Sequence, residues 1–297
     1  MGKESIRPYV WMLLGSFCFA CMAAAAHALR SSFDWQIIAL ARSSIPLILS
    51  AALALLGGAR LVLFAPGILW VRSIAGSLSL VCTFFALTVL PPPHVFTLGS
   101  TFPIWVALLS WPLYDERPSR QVWISIFASV LGIAIMELST EPQETADIST
   151  SLRWLAIFST LFAAVSTAVA MLGLHRLSHI HPWAIVAHFS GVALLFTLAS
   201  FVLGRQSATP PPPLRAEPLL LLFAVGSTAT VGQLFLTKAF AAGPPAKISV
   251  VCLMQVVFAL LLDVLLWNRR FNVPMLAGMV LVMAPTAWLM APQSRED

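Results

Sequence analysis

Charged side chains inside long apolar segments are the residues of this sequence that could do chemistry. Arg42 lies well inside one apolar run, and Lys238 and Lys247 flank the short turn between two others. An ionisable group is costly in a bilayer core, so each is a functional candidate by default. Arg42 either contacts an anion in a cavity or hydrogen-bonds backbone carbonyls. The lysines either join that cavity or extend their ammonium groups to the membrane surface.

Polar and aromatic residues at helical spacing extend two of these apolar runs. Residues three and four apart share one helix face, and two such faces begin at His94 and at Lys247. Gln233, Gln255 and His188 are too large for simple helix packing, so each needs a partner on another helix or on a substrate. Packing alone is the alternative for the aromatic and Met residues. The candidate substrate-binding residues are Arg42, His94, Thr97, Thr101, Trp105, His188, Gln233, Lys247, Met254, Gln255 and Phe258.

Signatures of catalysis and of metal binding are weak in this sequence. His175, His179 and His181 cluster without a nearby Cys or carboxylate, although a structural metal site needs a fixed tetrahedral set. Nothing resembles a catalytic triad, a P-loop or a paired-carboxylate site. We expect no catalytic residue, no metal and no cofactor. A membrane enzyme acting on lipid is the alternative of a different class, and it would need convergent His, Asp or Glu inside the spans.

The elements that must position these residues are membrane-spanning helices. Of the 297 residues, 59% are hydrophobic and 10% charged, and the mean hydropathy is +0.89. A helix of about 20 apolar residues crosses a hydrocarbon core, and the apolar runs lack the alternation of barrel strands. The sequence therefore predicts an all-α polytopic membrane protein with ten transmembrane helices, at residues 9–29, 34–56, 68–90, 92–113, 120–138, 152–174, 182–203, 218–240, 244–267 and 273–291.

The two halves of the chain resemble each other. Residues 34–39 match 182–187, and Pro91, Pro92 and His94 fall on Pro244, Pro245 and Lys247 at a constant separation. We predict a first five-helix repeat at 1–138, a polar linker at 139–151 and a second repeat at 152–297. Because five is odd, the repeats must be inverted in the membrane, and inverted repeats place a transporter site at their interface near the midplane.

Residues 70–136 also carry a family resemblance. Arg72 precedes a small-residue helix containing a Phe-Phe-Ala-Leu run, prolines occupy 91–93, Pro103 lies within a span, and Glu116 precedes a helix with Gly132. In this order they resemble the EamA-type half of the drug/metabolite transporter superfamily. The resemblance implies ten spans, two inverted repeats and a central substrate cavity. The second half departs from it, with Val256 in the place of Pro103 and Arg269 in the place of Glu116.

We predict a secondary active transporter that moves a small organic metabolite across the membrane by alternating access. The substrate is expected to be anionic or zwitterionic, because Arg42 and Lys247 are basic and no carboxylate is apparent deep within the spans. An exporter of neutral or cationic drug-like compounds is the alternative. The expected partners are the substrate, the lipid bilayer, and a coupling proton or counter-substrate, with no nucleic acid, in a monomer or homodimer.

The distribution of Lys and Arg predicts the orientation. With a cytoplasmic N-terminus, ten of these residues, Arg72 included, fall on the inner side and six on the outer side, and basic residues favour the cytoplasm. We therefore expect an integral protein of the bacterial inner membrane with both termini cytoplasmic and the 139–151 linker outside. We therefore interpret the net charge of +5 as a signal of membrane orientation.

Overall fold

The computed structural model of the protein describes residues 5–29, 32–64, 66–90, 92–115, 117–139, 149–203, 216–268 and 272–291. Every regular element in these ranges is a helix. The helices are α1 (Arg7–Leu29), α2 (Trp35–Leu56), α3 (Gly67–Val89), α4 (Pro92–Gly99), α5 (Phe102–Tyr114), α6 (Arg120–Leu138), α7 (Thr150–Arg176), α8 (Pro182–Leu203), α9 (Ala216–Ala242), α10 (Pro245–Cys252), α11 (Met254–Trp267) and α12 (Val273–Met290).

Ten helical segments among the described residues are long and apolar enough to cross a membrane, which confirms the predicted fold class. Helices satisfy their backbone hydrogen bonds internally, as a segment in lipid must. Most of the predicted linker, residues 140–148, and also Glu116 and Arg269 lie outside the described residues.

The fourth and ninth spans, which the sequence predicted as one helix each, are each divided by one short turn, and the backbone stays in the helical region at Thr101 and at Leu253. α4 ends at Gly99 and α5 begins at Phe102; α10 ends at Cys252 and α11 begins at Met254. The separation that relates His94 to Lys247 also relates Ser100 to Leu253, so both breaks fall at equivalent places. Pro103 has no backbone N–H, which accounts for the first break.

Helix packing follows one scheme in both halves. Helix α1 packs on α9 as α7 packs on α3, α2 packs on α9 as α8 packs on α3, and α1 packs on α11 as α7 packs on α5. The pairs α2 with α8 and α6 with α12 join equivalent helices of the two halves. Each of these contacts between the halves is thus repeated with the halves exchanged, as an approximate twofold arrangement requires.

The pair formed by α6 and α12 is unusually close. A Cβ atom added to Gly132 would lie 2.6 Å from the carbonyl oxygen of Gly278, and one added to Gly278 would lie 2.5 Å from that of Gly132. Only glycine permits this approach. The opposite side of α6 exposes Ile124, Phe127 and Leu131, a spacing that forms one face suited to lipid.

Candidate functional site

A small cavity lies among α2, α3, α8 and α9, two helices from each half. Its volume of about 10 Å³ for the centre of a water molecule leaves room for about one water. Polar groups from three of the four helices reach it. The cavity is lined by Arg42, Ser43, Pro46, Leu80, Phe189, Ser190, Ala193, Ala229 and Gln233. Two of the predicted substrate-binding residues, Arg42 and Gln233, therefore share one cavity.

Arg42 brings a positive charge to the wall of this cavity from the middle of α2. Within the described part of the chain its guanidinium has neither a hydrogen bond nor a carboxylate partner. Pro46, one turn further along, cannot donate the helical N–H bond to the carbonyl of residue 42. Of the two roles left open by the sequence, the one that relies on hydrogen bonds to backbone carbonyls is not seen among these residues.

Arg72 is a second guanidinium next to the cavity, and it is fully buried, with 1% of its surface exposed. Its Nη2 donates a hydrogen bond to Oε1 of Gln233 at 3.1 Å, and its Cζ lies 3.9 Å from the centre of the Phe189 ring. No acceptor within the described ranges reaches its Nε or Nη1. Arg72, which was counted among the charges of the cytoplasmic side, lies five residues after the start of α3 at Gly67 with its side chain buried between helices. The side of the membrane on which it lies stays a prediction.

Gln233 is 9% exposed, bonds Arg72 and lines the same cavity as Arg42. Its side chain lines the cavity that Arg42 enters, and its Oε1 accepts from Arg72 of the other half. The sequence left open whether this amide bonds across helices or meets substrate, and the bond across helices is present. Gln233 also lies at the cavity surface, so contact with a substrate stays a prediction.

His188 is engaged on both sides of its ring. Its Nδ1 lies 2.8 Å from Oγ of Ser73, and its Nε2 lies 3.2 Å from the carbonyl oxygen of Leu63. Trp70 meets the ring edge-on at 4.7 Å. These contacts join α8 to α3 and to the segment between α2 and α3. His188 thus has a clear structural part in the wall beside Phe189.

The candidates on the fourth span lie away from this cavity. His94 is exposed, and Thr97 has a buried hydroxyl for which no described residue provides a partner. Thr101 donates to the carbonyl of Leu98 at 2.6 Å, at the break between α4 and α5. Trp105 packs on the cluster around Leu172. Their predicted contact with substrate is untested.

The candidates on the ninth span are mostly packed in the protein. Met254 is buried in a cluster with Val257 and Leu260. Phe258 meets Phe17 edge-on at 5.6 Å. Gln255 and Lys247 are half-buried. These residues do not line the cavity of Arg42, and their binding role likewise stays a prediction.

Sequence reasoning did not single out Phe189, which lines the cavity, or Arg72, which contacts Gln233 and Phe189 behind it. The signal for Arg72 was present, because the rule that drew attention to Arg42 applies to any ionisable residue within an apolar run. Phe189 carried no signal, since aromatic residues are frequent in every span. Of the three clustered histidines, His175 places Nδ1 3.0 Å from the carbonyl oxygen of Phe240. Among the described residues no group of three metal-ligating side chains forms.

Comparison with known proteins identifies relatives of both halves. The profile of the EamA-like transporter family matches residues 6–138 and 153–291. Pseudopaline exporters CntI from two strains of Pseudomonas aeruginosa are each 29% identical over 271 residues, which cover 91% of this chain and 91% of the relative. An uncharacterized transporter of Helicobacter pylori is 24% identical over 71% of this chain and 69% of the relative.

A solved crystal structure has the same fold. It superposes with a TM-score of 0.81 and covers 95% of this chain and 98% of its own chain. The sequence identity of that pair is 16%, so the likeness concerns the arrangement of the helices.

Proposed function

The chain belongs to the EamA-like transporter family, and from this we propose that it carries a small organic metabolite with a carboxylate or phosphate group, zwitterions included, across a bacterial inner membrane. The family is one of transporters, so the lipid-modifying enzyme considered above is set aside. Transport is expected to proceed by alternating access, in which the two repeats move against each other around a central site.

The charge of the cavity supports an anionic or zwitterionic substrate. Arg42 lines it without a carboxylate partner among the described residues. The interaction of two charges is several times stronger in a protein interior than in bulk water. An acid group in the cavity would compensate Arg42, whereas a cation would meet repulsion in addition to its own desolvation. This uncompensated guanidinium is the observation that carries the proposal.

The broken spans support a mechanism of moving helices. Each span departs from regular α-helical hydrogen bonding at one short turn, and such turns at equivalent places in two repeats are points at which the helices can bend. The cavity has room for about one water, so a metabolite requires the helices around it to separate. We propose that the repeats, residues 1–138 and 152–297, open it alternately to the two sides, with residues 139–151 as the linker. Lys247 is proposed as a further contact once the site opens.

Export of neutral or cationic drug-like compounds is the second candidate function. Phe189, Gln233 and Ser190 would suit a neutral solute, and a ring face also attracts cations. Arg72, however, already occupies a face of Phe189 at 3.9 Å. This leaves the aromatic ring less suited to a cationic substrate.

Direction, coupling and membrane topology are parts of the same proposal. The CntI relatives are named exporters of pseudopaline, so export is the direction to test first, and pseudopaline belongs among the test compounds. We further propose that both termini are cytoplasmic and that transport is coupled to a proton or a counter-substrate. The protein works as a monomer or homodimer.

Uptake into proteoliposomes tests the function. Radiolabelled anionic, zwitterionic, neutral and cationic metabolites are offered with and without a pH gradient, to wild type and to Arg42→Gln. We expect an acid-bearing compound to be transported best and Arg42→Gln to weaken it. Best transport of a quaternary ammonium compound, unaffected by Arg42→Gln, would refute the proposal. The matched control is Gln121→Glu, on α6 outside the cavity, which changes the charge by one unit without touching the site.

A further inference from the structure

We propose that Arg72 is a second cation of the substrate site and that the site therefore selects organic substrates with two acidic groups. This inference rests on the proposed transport of an acid-bearing metabolite through the cavity of Arg42. It extends that proposal by specifying two acid groups on the substrate and by naming Arg72 as the residue that binds the second.

The guanidinium of Arg72 is buried with most of its hydrogen-bonding capacity unused. Five N–H groups are available on an arginine, and within the described residues the only acceptor is Oε1 of Gln233, at Nη2. Nε and Nη1 have none. Buried polar groups are nearly always paired, so an unpaired set calls for an explanation. A ligand that supplies acceptors provides one.

Gln233 holds the place that an acid group would take. Nε and Nη2 lie on one edge of the guanidinium, and a carboxylate binds such an edge with both oxygens. The neutral amide oxygen of Gln233 uses Nη2 and leaves Nε open. The Gln233 side chain also lines the cavity. If this side chain turned away from Arg72, a ligand in the cavity beside Arg42 would gain access to the Arg72 guanidinium. A substrate carboxylate would then replace one weak bond with two charged ones.

The charge balance favours two acid groups over one. Neither Arg42 nor Arg72 has a carboxylate partner in the part of the chain described. Arg72 donates to Gln233, and Gln233 lines the same cavity as Arg42, so both positive charges lie beside one buried amide. Such charges repel more strongly than in solution. A substrate with a single acid compensates one of them, and a substrate with two compensates both.

Matched ligand pairs measure this preference directly. Each pair consists of a dicarboxylate and its monoamide: L-glutamate with L-glutamine, and glutarate with glutaramate. Affinity is read from the ligand-dependent rise of the melting temperature of the purified full chain in detergent, which needs no transport. For wild type we expect each diacid to bind about tenfold or more tightly than its monoamide, the effect of hydrogen bonds to a charged group.

Two variants remove the second cation in different ways. Arg72→Gln deletes the charge, and we expect diacid affinity to fall to that of the monoamide, whose own affinity is unchanged. Gln233→Glu keeps Arg72 but gives it a carboxylate within the protein. Gln233→Glu should abolish the preference for diacids and raise the melting temperature of the ligand-free protein. It therefore tests the role of Arg72 even if Arg72→Gln fails to fold. Gln121→Glu, the matched amide-to-acid control outside the cavity, should keep the wild-type preference.

The outcomes separate this inference from the proposed function. In one outcome, Arg42→Gln loses affinity for both members of each pair, and wild type binds the diacid and its monoamide equally well. This result overturns the role of Arg72 and leaves the proposed function standing. Anion binding that Arg42→Gln leaves intact overturns the proposed function. If Gln233→Glu retains the preference, or Arg72→Gln weakens diacid and monoamide equally, Arg72 is a structural residue and the inference is wrong.

Discussion

Replacing Gly132 by Ala should destabilise the protein by forcing α6 and α12 apart. The new Cβ would lie 2.6 Å from the carbonyl oxygen of Gly278 and 2.8 Å from Cβ of Leu281. Neither atom belongs to the far end of a flexible side chain, so the two helices must separate locally by roughly 1 Å, in a packing that tolerates little change. Such overpacking costs about 1–3 kcal/mol.

An opposing effect has to be weighed against this cost. Alanine is favoured over glycine inside a helix by roughly 0.5–1 kcal/mol. At Gly132 the clash exceeds this gain, so the net change is a loss. Gly191 is the matched control, because it also lies inside a helix and a Cβ there would meet Leu47 at an ordinary 3.6 Å. Gly191→Ala should therefore leave stability unchanged or raise it.

The melting temperature of each variant is measured in the same detergent, as the temperature at which half of the protein is no longer monodisperse after heating. We expect Gly132→Ala to melt several degrees lower, since about 1 kcal/mol shifts the midpoint by about 2–4 °C in chains of this order of size. The double variant with Gly278→Ala should lose less than the sum of the two single losses, because one separation relieves both clashes. A Gly132→Ala variant as stable as Gly191→Ala would refute the reasoning.

Three other perturbations address the site and the topology. Arg42→Gln should weaken binding of acid-bearing ligands with little change in melting temperature, because Arg42 makes no hydrogen bond to described residues; a large fall in melting temperature would instead indicate a structural arginine. His188→Phe should lower the melting temperature of the ligand-free protein, since it removes contacts to Ser73 and Leu63 worth about 0.5–1.5 kcal/mol each, and an unchanged midpoint would contradict this. Cys introduced at Thr145, outside the described residues, should react with an impermeant maleimide at the outer face in a cysteine-free background; labelling only after permeabilisation contradicts a cytoplasmic N-terminus.

The spans could be predicted from the sequence because length and hydropathy alone determine them. A run such as Arg120–Leu138 is long and apolar enough to cross a bilayer whatever its neighbours do. The break at Leu253 was not predictable in this way. It lies among apolar residues with no proline or glycine next to it, so only the tertiary structure reveals it.

The sequence singled out part of the cavity wall, for a physical reason. Arg42 drew attention because an ionisable side chain is conspicuous in an apolar run, and it does line the cavity; its role in binding stays a prediction. The pairing of Arg72 with Gln233 joins two residues far apart in the chain and depends on how α3 and α9 are rotated. A single sequence gives the order of the helices, while rotation depends on contacts such as that of Gly173 against the Cβ of Arg72.

The turns in the fourth and ninth spans lie at equivalent positions but differ in their backbone hydrogen bonds. This difference affects which side of the membrane we expect the empty protein to face. With two identical inverted halves, exchanging their conformations would turn an inward-open state into an outward-open state of equal free energy. Here Pro103 after the first break has no N–H to donate, whereas Val256 after the second donates to the carbonyl of Leu253 at 3.0 Å. For the alternating access proposed above, we therefore expect the two spans to differ in the free energy of bending. We then expect the empty protein to favour one side of the membrane.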